Sequence, residues 1–500
     1  MYLQSTAVAW REGPLEASSS ASRWGGRAAG IALGFLLLCV VSRVATTVYT
    51  IEDPDSLRFA LSLREYSIPD LQPHFPGYPV FAFLGKLLYL GTGSFAASFS
   101  LLGAVAVFGI VFYLLRILEL ELDSLRGGLV AASVFFNPLV WLMSNRYMPD
   151  LLGVALALGA FYHLMVDEGR HGRAIGLFGT GLLAGLRLSY LPFLLPPVVA
   201  ALVKDPRQLR AVGWGLAGVI VWLVPLLVLT GPAELMNAAV RQTQGHFADF
   251  GGTIMTEPDT ASRSLRLVES IWADGLGGYW WGRHPVTLLV SAGVVALLPV
   301  GLRAGRRVVS GRMMGVMAAS WGTYLIWIAL YQNVIHKSRH VLPLLPFVLL
   351  PLALGAARVV EGWGRSARAA LVAVGLAYVT VTGVLVIQHR EPTAIAQVVE
   401  YLREQEQAGG AEVHVFSIPL ANFYFSAQGV SGTFLSAEDP TDVEALEELV
   451  DGGGPARLVS VGGAVPFGGL EPSDHTTFYH NPYVNRMWPE VEVYEYVVEP

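Results

Sequence analysis

Residues 51–80 read IEDPDSLRFALSLREYSIPDLQPHFPGYPV. Three carboxylates, Glu52, Asp53 and Asp55, open the stretch, an amphipathic segment follows, and a turn rich in Pro, Gly and aromatic residues closes it. It lies between the first long apolar run and the next. A loop of this composition beside a membrane presents charge to lipid headgroups. The remaining apolar segments then serve to hold it, with a few polar residues facing it, at one membrane surface.

The whole chain supports that setting. Of 500 residues, 53% are hydrophobic and 14% charged, a balance foreign to water-soluble domains of this length. In hydrocarbon every backbone N–H and C=O must be bonded internally, so a spanning helix needs about 20 mostly apolar residues. The runs here are long and continuous, unlike the alternating strands of a barrel. The fold class expected is an all-α polytopic membrane protein with a small C-terminal α/β domain. The one cysteine, Cys39, lies within the first run and rules out a thiolate metal cluster. The net charge of −6 gives no reason to expect nucleic acid.

Spans are expected near 28–50, 80–115 (an interfacial turn around Gly91, then a full helix), 127–144, 149–166, 173–188, 189–203, 211–230, 285–302, 313–331, 340–357 and 368–388, eleven in all. Residues 1–27 read as a disordered cytoplasmic tail, 28–390 as the membrane domain with outer loops 51–80 and 231–284, and 391–500 as a soluble domain. Arg116 and Arg126, Arg170 and Arg173, Lys204, Arg207 and Arg210, Arg303 to Arg312, and Arg358 to Arg368 fall in alternate connections. By the bias of Lys and Arg toward the cytoplasm, the N-terminus is then inside and the C-terminal domain extracytoplasmic. In the tail, helices are expected at 394–405 and 442–450, and strands at 412–418, 456–461 and 491–498.

Several polar residues fall on the outer side. Asp53 before Pro54 suits a helix N-cap; Asp55 is free either to do chemistry or to favour the positive helix end. His74 sits on a stiff aromatic turn and could anchor by hydrogen bonding, orient an anion or transfer a proton. Asp150 follows Pro149 and reads either as a helix-start residue or as a carboxylate sharing a site with Asp55. Arg187 could snorkel or bind phosphate bidentately. His336, Lys337, Arg339 and His340 crowd basic character at the outer end of a span, against the prevailing bias, and read as an anion site.

Taken together, the acidic opening of the first outer loop, the QPHFPGYP turn, the acidic residue after the third span and the late HKSRHVLPLLP stretch resemble the GT-C superfamily of polyprenyl-phosphate-sugar glycosyltransferases, specifically protein O-mannosyltransferases and dolichol-phosphate-mannose-dependent mannosyltransferases. The resemblance implies an inverting transfer of a mannose-like hexose or pentose from a polyprenyl-phosphate donor to a lipid, protein or polysaccharide acceptor in the cell envelope. It places the general base at Asp55, with Ser56 where the family's second acid stands. It matches Asp150 to the acidic residue after the third span, His74 to the histidine turn, and Lys337 and Arg339 to the late basic motif. Asp53, Arg187, His336 and His340 join the expected substrate contacts. No cofactor is expected, and a divalent metal is left open. Two other classes fit parts of the chain: a transporter or flippase of a lipid-linked saccharide, and an inactive glycan-binding relative.

Overall fold

The computed structural model describes residues 26–169, 171–203, 211–249, 252–407, 413–451, 456–465 and 471–498. All of the expected tail but its last two residues, and Arg170, Lys204, Arg207 and Arg210, lie outside them.

Among the described residues eight helices are long and apolar enough to cross a membrane, and the pair Leu125–Phe135 and Pro138–Asn145, bent by 58°, makes a ninth if taken as one span. Pro138 explains the bend: it lacks the N–H needed to continue the first helix and is suited to begin the second. The longest of the eight, Gly172–Val203, is not one straight rod. Its backbone breaks at Arg187, with φ −155° and ψ 81°, and Leu177 packs with Ala201 and Leu164 in one apolar cluster. Residues 24 apart on a straight helix would be about 36 Å apart, so the chain turns back near Leu188–Tyr190. The sequence leads one to expect eleven spans; among the described residues eight helices, or nine with the bent pair, have spanning length and composition, and Asp150–Met165 is a shorter apolar helix of 16 residues.

Contacts at the bundle ends agree with this path. At one end Arg27 meets Asp123 at 3.5 Å, Arg126 meets Glu361 at 3.1 Å, and Arg116 donates to Tyr162 at 2.9 Å. At the other end lie 51–80, the 145–150 turn and the 336–340 stretch. The helix Pro79–Thr92 is too short to cross at 14 residues, and it lies near the end of the Pro54–Arg64 helix, with Lys86 donating to the Arg64 carbonyl at 3.4 Å. The expected 80–115 span is therefore a surface helix followed by the full helix Phe95–Ile117.

Without a hydrophobic drive between helices in lipid, close packing holds the bundle, and small residues permit it. A Cβ at Gly103 would stand 1.7 Å from the Ser144 carbonyl oxygen, and one at Gly301 would stand 1.6 Å from that of Pro351. Gly103 thus lets the Phe95–Ile117 helix touch the segment that leads into the 145–150 turn. Arg43 secures the same place from the first span, donating to Ser144 at 3.1 Å and to the Phe135 carbonyl at 3.0 Å beneath the Trp141 ring.

After Gln388 the chain forms a five-stranded sheet of order β2-β1-β3-β5-β4, with strands β1 Val413–Ser417, β2 Thr433–Ser436, β3 Ala456–Val461, β4 Asp474–Tyr479 and β5 Glu490–Val498. β1 runs parallel to β2 and β3; β5 runs antiparallel to β3 and β4. The helices Ala394–Gln407 and Pro440–Asp451 and three of the strands fall where the sequence places them, whereas Pro419–Ala427, β2 and β4 are additional. This domain sits on the 51–80 and 231–284 loops. Leu57 enters its core beside Ile395, Val398 and Phe425, Tyr424 donates to the Ile51 carbonyl, and Arg486 pairs with Glu269 at 3.2 Å and Asp274 at 2.5 Å.

Candidate active site

The helix Pro54–Arg64 begins as its sequence dictates. Asp53 takes extended backbone as N-cap, its Oδ1 accepts the Ser56 N–H at 2.7 Å, and Pro54 occupies the first helical turn. Capping leaves Asp55 unused by its own helix. Its Oδ2 instead accepts from Lys337 Nζ at 2.6 Å and Arg339 Nη2 at 2.7 Å, while Arg58 Nη1 stands 3.8 Å from Oδ1. Asp55 as a residue is 7% exposed. Burial alone would raise its pKa, but Lys337 and Arg339 outweigh burial and hold it well below the usual carboxylate range.

A second carboxylate lies behind the first. Asp150, with no exposed surface, accepts from Arg187 Nη2 at 2.9 Å and from the Tyr190 hydroxyl at 3.2 Å. Pro149, not Asp150, is the cap of the following helix, so the side chain is free for these contacts. Arg187 Nη1 donates to the Tyr78 hydroxyl at 3.1 Å, and that hydroxyl meets His74 Nε2 at 3.2 Å. Arg339 links the two groups, its Nε 4.0 Å from Asp150 Oδ2. Four cations (Arg58, Lys337, Arg339 and Arg187) thus surround three carboxylates (Asp53, Asp55 and Asp150), leaving one positive charge in excess. Ser56 Oγ, His74 Nδ1, Asp150 Oδ2 and His340 Nδ1 are buried without a hydrogen-bond partner in the protein, seats that a polar ligand could fill.

Not every basic residue of the late stretch joins this cluster. The segment turns into a 3-10 helix at Ser338–Leu344, which sends successive side chains to different sides. Lys337 and Arg339 face Asp55. The His336 side chain is 56% exposed and stands 3.9 Å from Glu257, to one side of the group around Asp55. His340 is buried, and its carbonyl accepts from Tyr324 at 3.0 Å. Among the described residues no group of three or more His, Cys, Asp or Glu side chains could hold a metal ion.

His74 is wedged between Phe59 and Tyr78, whose ring centroids lie 5.9 and 5.3 Å away. Burial lowers its pKa to about 3, and although Asp55 pulls the other way, Arg58, Lys337 and Arg187 act with burial. The imidazole is therefore neutral near pH 7 and brings no positive charge to an anion. The unfolded chain protonates near pH 6.5 and the folded one only near 3, so acid favours unfolding. The stability this residue confers is intact above about pH 6.5 and is lost as the pH falls toward 3. His74→Gln is expected to reduce the fall in thermal stability between pH 7 and 5 by an amount on the order of 1 kcal/mol, read from melting curves in detergent.

Sequence reading passed over Arg58, Tyr78 and Tyr190, and above all the C-terminal domain's share. Phe423, from the additional helix Pro419–Ala427, places its ring centroid 5.6 Å from the Arg58 guanidinium carbon. Arg58 was findable, since a residue three positions after Asp55 on a helix is its neighbour. Phe423 lies too far along the chain for any spacing rule to reach.

No protein-family model and no curated protein matches the sequence. Solved structures do match its fold. ArnT from Cupriavidus metallidurans bound to undecaprenyl phosphate aligns over 93% of this chain and 98% of its own, with TM-score 0.57 and 12% identity. The apo state of ArnT gives TM-score 0.55 and 12% identity over 94% and 98%. An oligosaccharyltransferase from Archaeoglobus fulgidus, in complex with zinc and sulfate, gives TM-score 0.44 and 11% identity over 85% and 67%. The chain shares the overall fold of ArnT.

Proposed function

We propose that the protein is a membrane glycosyltransferase that moves a sugar from a polyprenyl-phosphate donor to an acceptor on the extracytoplasmic side. The observation that carries this reading is the meeting of Asp55 with Lys337 and Arg339, 282 and 284 positions away, in one buried group at the bundle end. Its excess positive charge suits an entering phosphate. Lys337 and Arg339 exchange Asp55 for phosphate oxygens, and Asp55 is left to accept a proton.

In the proposed step an acceptor hydroxyl attacks the anomeric carbon from the face opposite the phosphate. Its proton passes to the Asp55 carboxylate, the bond from the anomeric carbon to the phosphate oxygen breaks, and the lipid phosphate departs with the electron pair, inverting the anomeric centre. Lys337 and Arg339 stabilise the charge that gathers on the phosphate, an effect greatest where water is excluded. Fold sharing with ArnT, solved with undecaprenyl phosphate, supports a lipid phosphate as the donor's carrier. The late HKSRH motif supports a hexose or pentose of mannose type. The arginines at the opposite end, Arg27, Arg116, Arg126 and Arg358 to Arg368 among them, support a cytoplasmic N-terminus in a plasma membrane.

Purified protein in liposomes, given a panel of polyprenyl-phosphate sugars, tests the reading. Release of polyprenyl phosphate and a product of inverted configuration are expected with at least one donor. Movement of an intact lipid-linked saccharide between leaflets without transfer would make the protein a flippase instead.

A further inference from the structure

The two carboxylates reach the site on separate segments, and a run of cross-links ties those segments together. Asn145 Nδ2 donates to Thr46 Oγ1 at 3.1 Å, the Tyr147 hydroxyl donates to the Val48 carbonyl at 2.8 Å, and Arg146 Nε pairs with Glu52 at 3.2 Å. Residues 46–52 lead directly into Asp53 and Asp55, while 145–147 lead directly into Asp150. Glu52 is the last tie before both carboxylates, and 2% exposed.

Glu52 also receives the C-terminal domain. His389 Nε2 stands 2.8 Å from its Oε1, and the Thr393 hydroxyl donates to its backbone carbonyl at 2.9 Å. Arg146 Nη2 continues to the Val484 carbonyl at 2.7 Å. One residue, through its side chain and its backbone carbonyl, therefore joins the 51–80 loop, the 145–150 turn, the end of the last long helix and the start of the C-terminal domain. None of these atoms faces the Asp55 carboxylate, so the cluster has no part in the proton or phosphate chemistry itself.

We infer that Glu52 is a positioning residue: with Arg146 and His389 it uses the docked C-terminal domain to fix the separation of Asp55 and Asp150, which Arg339 must span. The inference rests on the transferase reading for its kinetic consequence but not for its structural one. A misplacement of about 1 Å at a reacting centre can cost about 10²-fold in rate, so the effect belongs in turnover rather than in donor binding.

The test uses the full-length protein with Glu52→Gln, Glu52→Asp and Thr393→Val, the last removing only the bond to the Glu52 carbonyl. Glu52→Gln is expected to lower kcat about tenfold or more with KM for the donor changed less than about twofold. Glu52→Asp should recover part of that loss, and Thr393→Val should lower kcat severalfold. Amide hydrogen exchange should quicken in 51–58 and 145–150 in Glu52→Gln and stay unchanged in the far bundle end. Unchanged kcat, a rise in KM alone, or exchange quickened uniformly along the chain would overturn the inference. If the wild type turns over no donor, the transferase reading fails, while exchange confined to those two segments still supports Glu52 as the tie.

Discussion

Asp55→Asn is expected to lower the turnover of sugar transfer by about 10²–10⁴-fold, the usual worth of a placed general base. The amide keeps the size of the carboxylate and one acceptor oxygen for Lys337 and Arg339, so the change removes charge and basicity more than shape. Its effect on the donor should run the other way. With one carboxylate neutralised, the cluster's positive excess rises and Lys337 and Arg339 are held less tightly, so a polyprenyl phosphate is expected to bind as well as to wild type or better. Steady-state kinetics together with direct binding of polyprenyl phosphate separates the two. Reduced turnover with weakened donor binding would instead make Asp55 a holder of the cations and not the proton acceptor.

Arg339→Gln should have the second large effect. Arg339 lies 2.7 Å from Asp55 and 4.0 Å from Asp150, both buried, so its loss removes charge from two carboxylates at once. Breaking a buried pair by deleting one partner costs about 3–5 kcal/mol of stability, and removing a preplaced donor to developing charge costs about 10²–10³-fold in turnover. Both losses are expected here, seen as a lower melting temperature and a fall in kcat. Arg339→Lys should recover much of the stability and little of the turnover, because an ammonium restores the charge but not the planar fork that grips Asp55 while reaching toward Asp150. Full activity in Arg339→Lys would mean that a point charge suffices.

Much of this arrangement was legible before any coordinates. Apolar runs of spanning length are dictated by the bilayer itself, and they located the long apolar helices, including the break at Arg187. Asp55 was legible because Asp53 and Pro54 already account for the helix start, and Lys337 and Arg339 because basic residues at a span end expected to be extracytoplasmic run against the prevailing charge bias. What escaped was set by phase and distance. Five residues of HKSRH cannot announce that a 3-10 turn will direct His336 outward while Lys337 and Arg339 turn in. Glu52 looked like one more loop carboxylate, because its partners Arg146 and His389 are brought to it only by the folded bundle. The segment PLANFYFSA has neither strand alternation nor the length of a confident helix, yet it delivers Phe423 to Arg58 and Tyr424 to the first outer loop.

The most direct test of the account is a structure of the protein with polyprenyl phosphate bound in lipid. It should show phosphate oxygens within hydrogen-bonding distance of Lys337 Nζ and the Arg339 guanidinium, with the Lys337–Asp55 contact opened and Asp55 turned toward the space an acceptor would occupy. Phosphate held elsewhere on the molecule, with both cations still closed on Asp55, would contradict it.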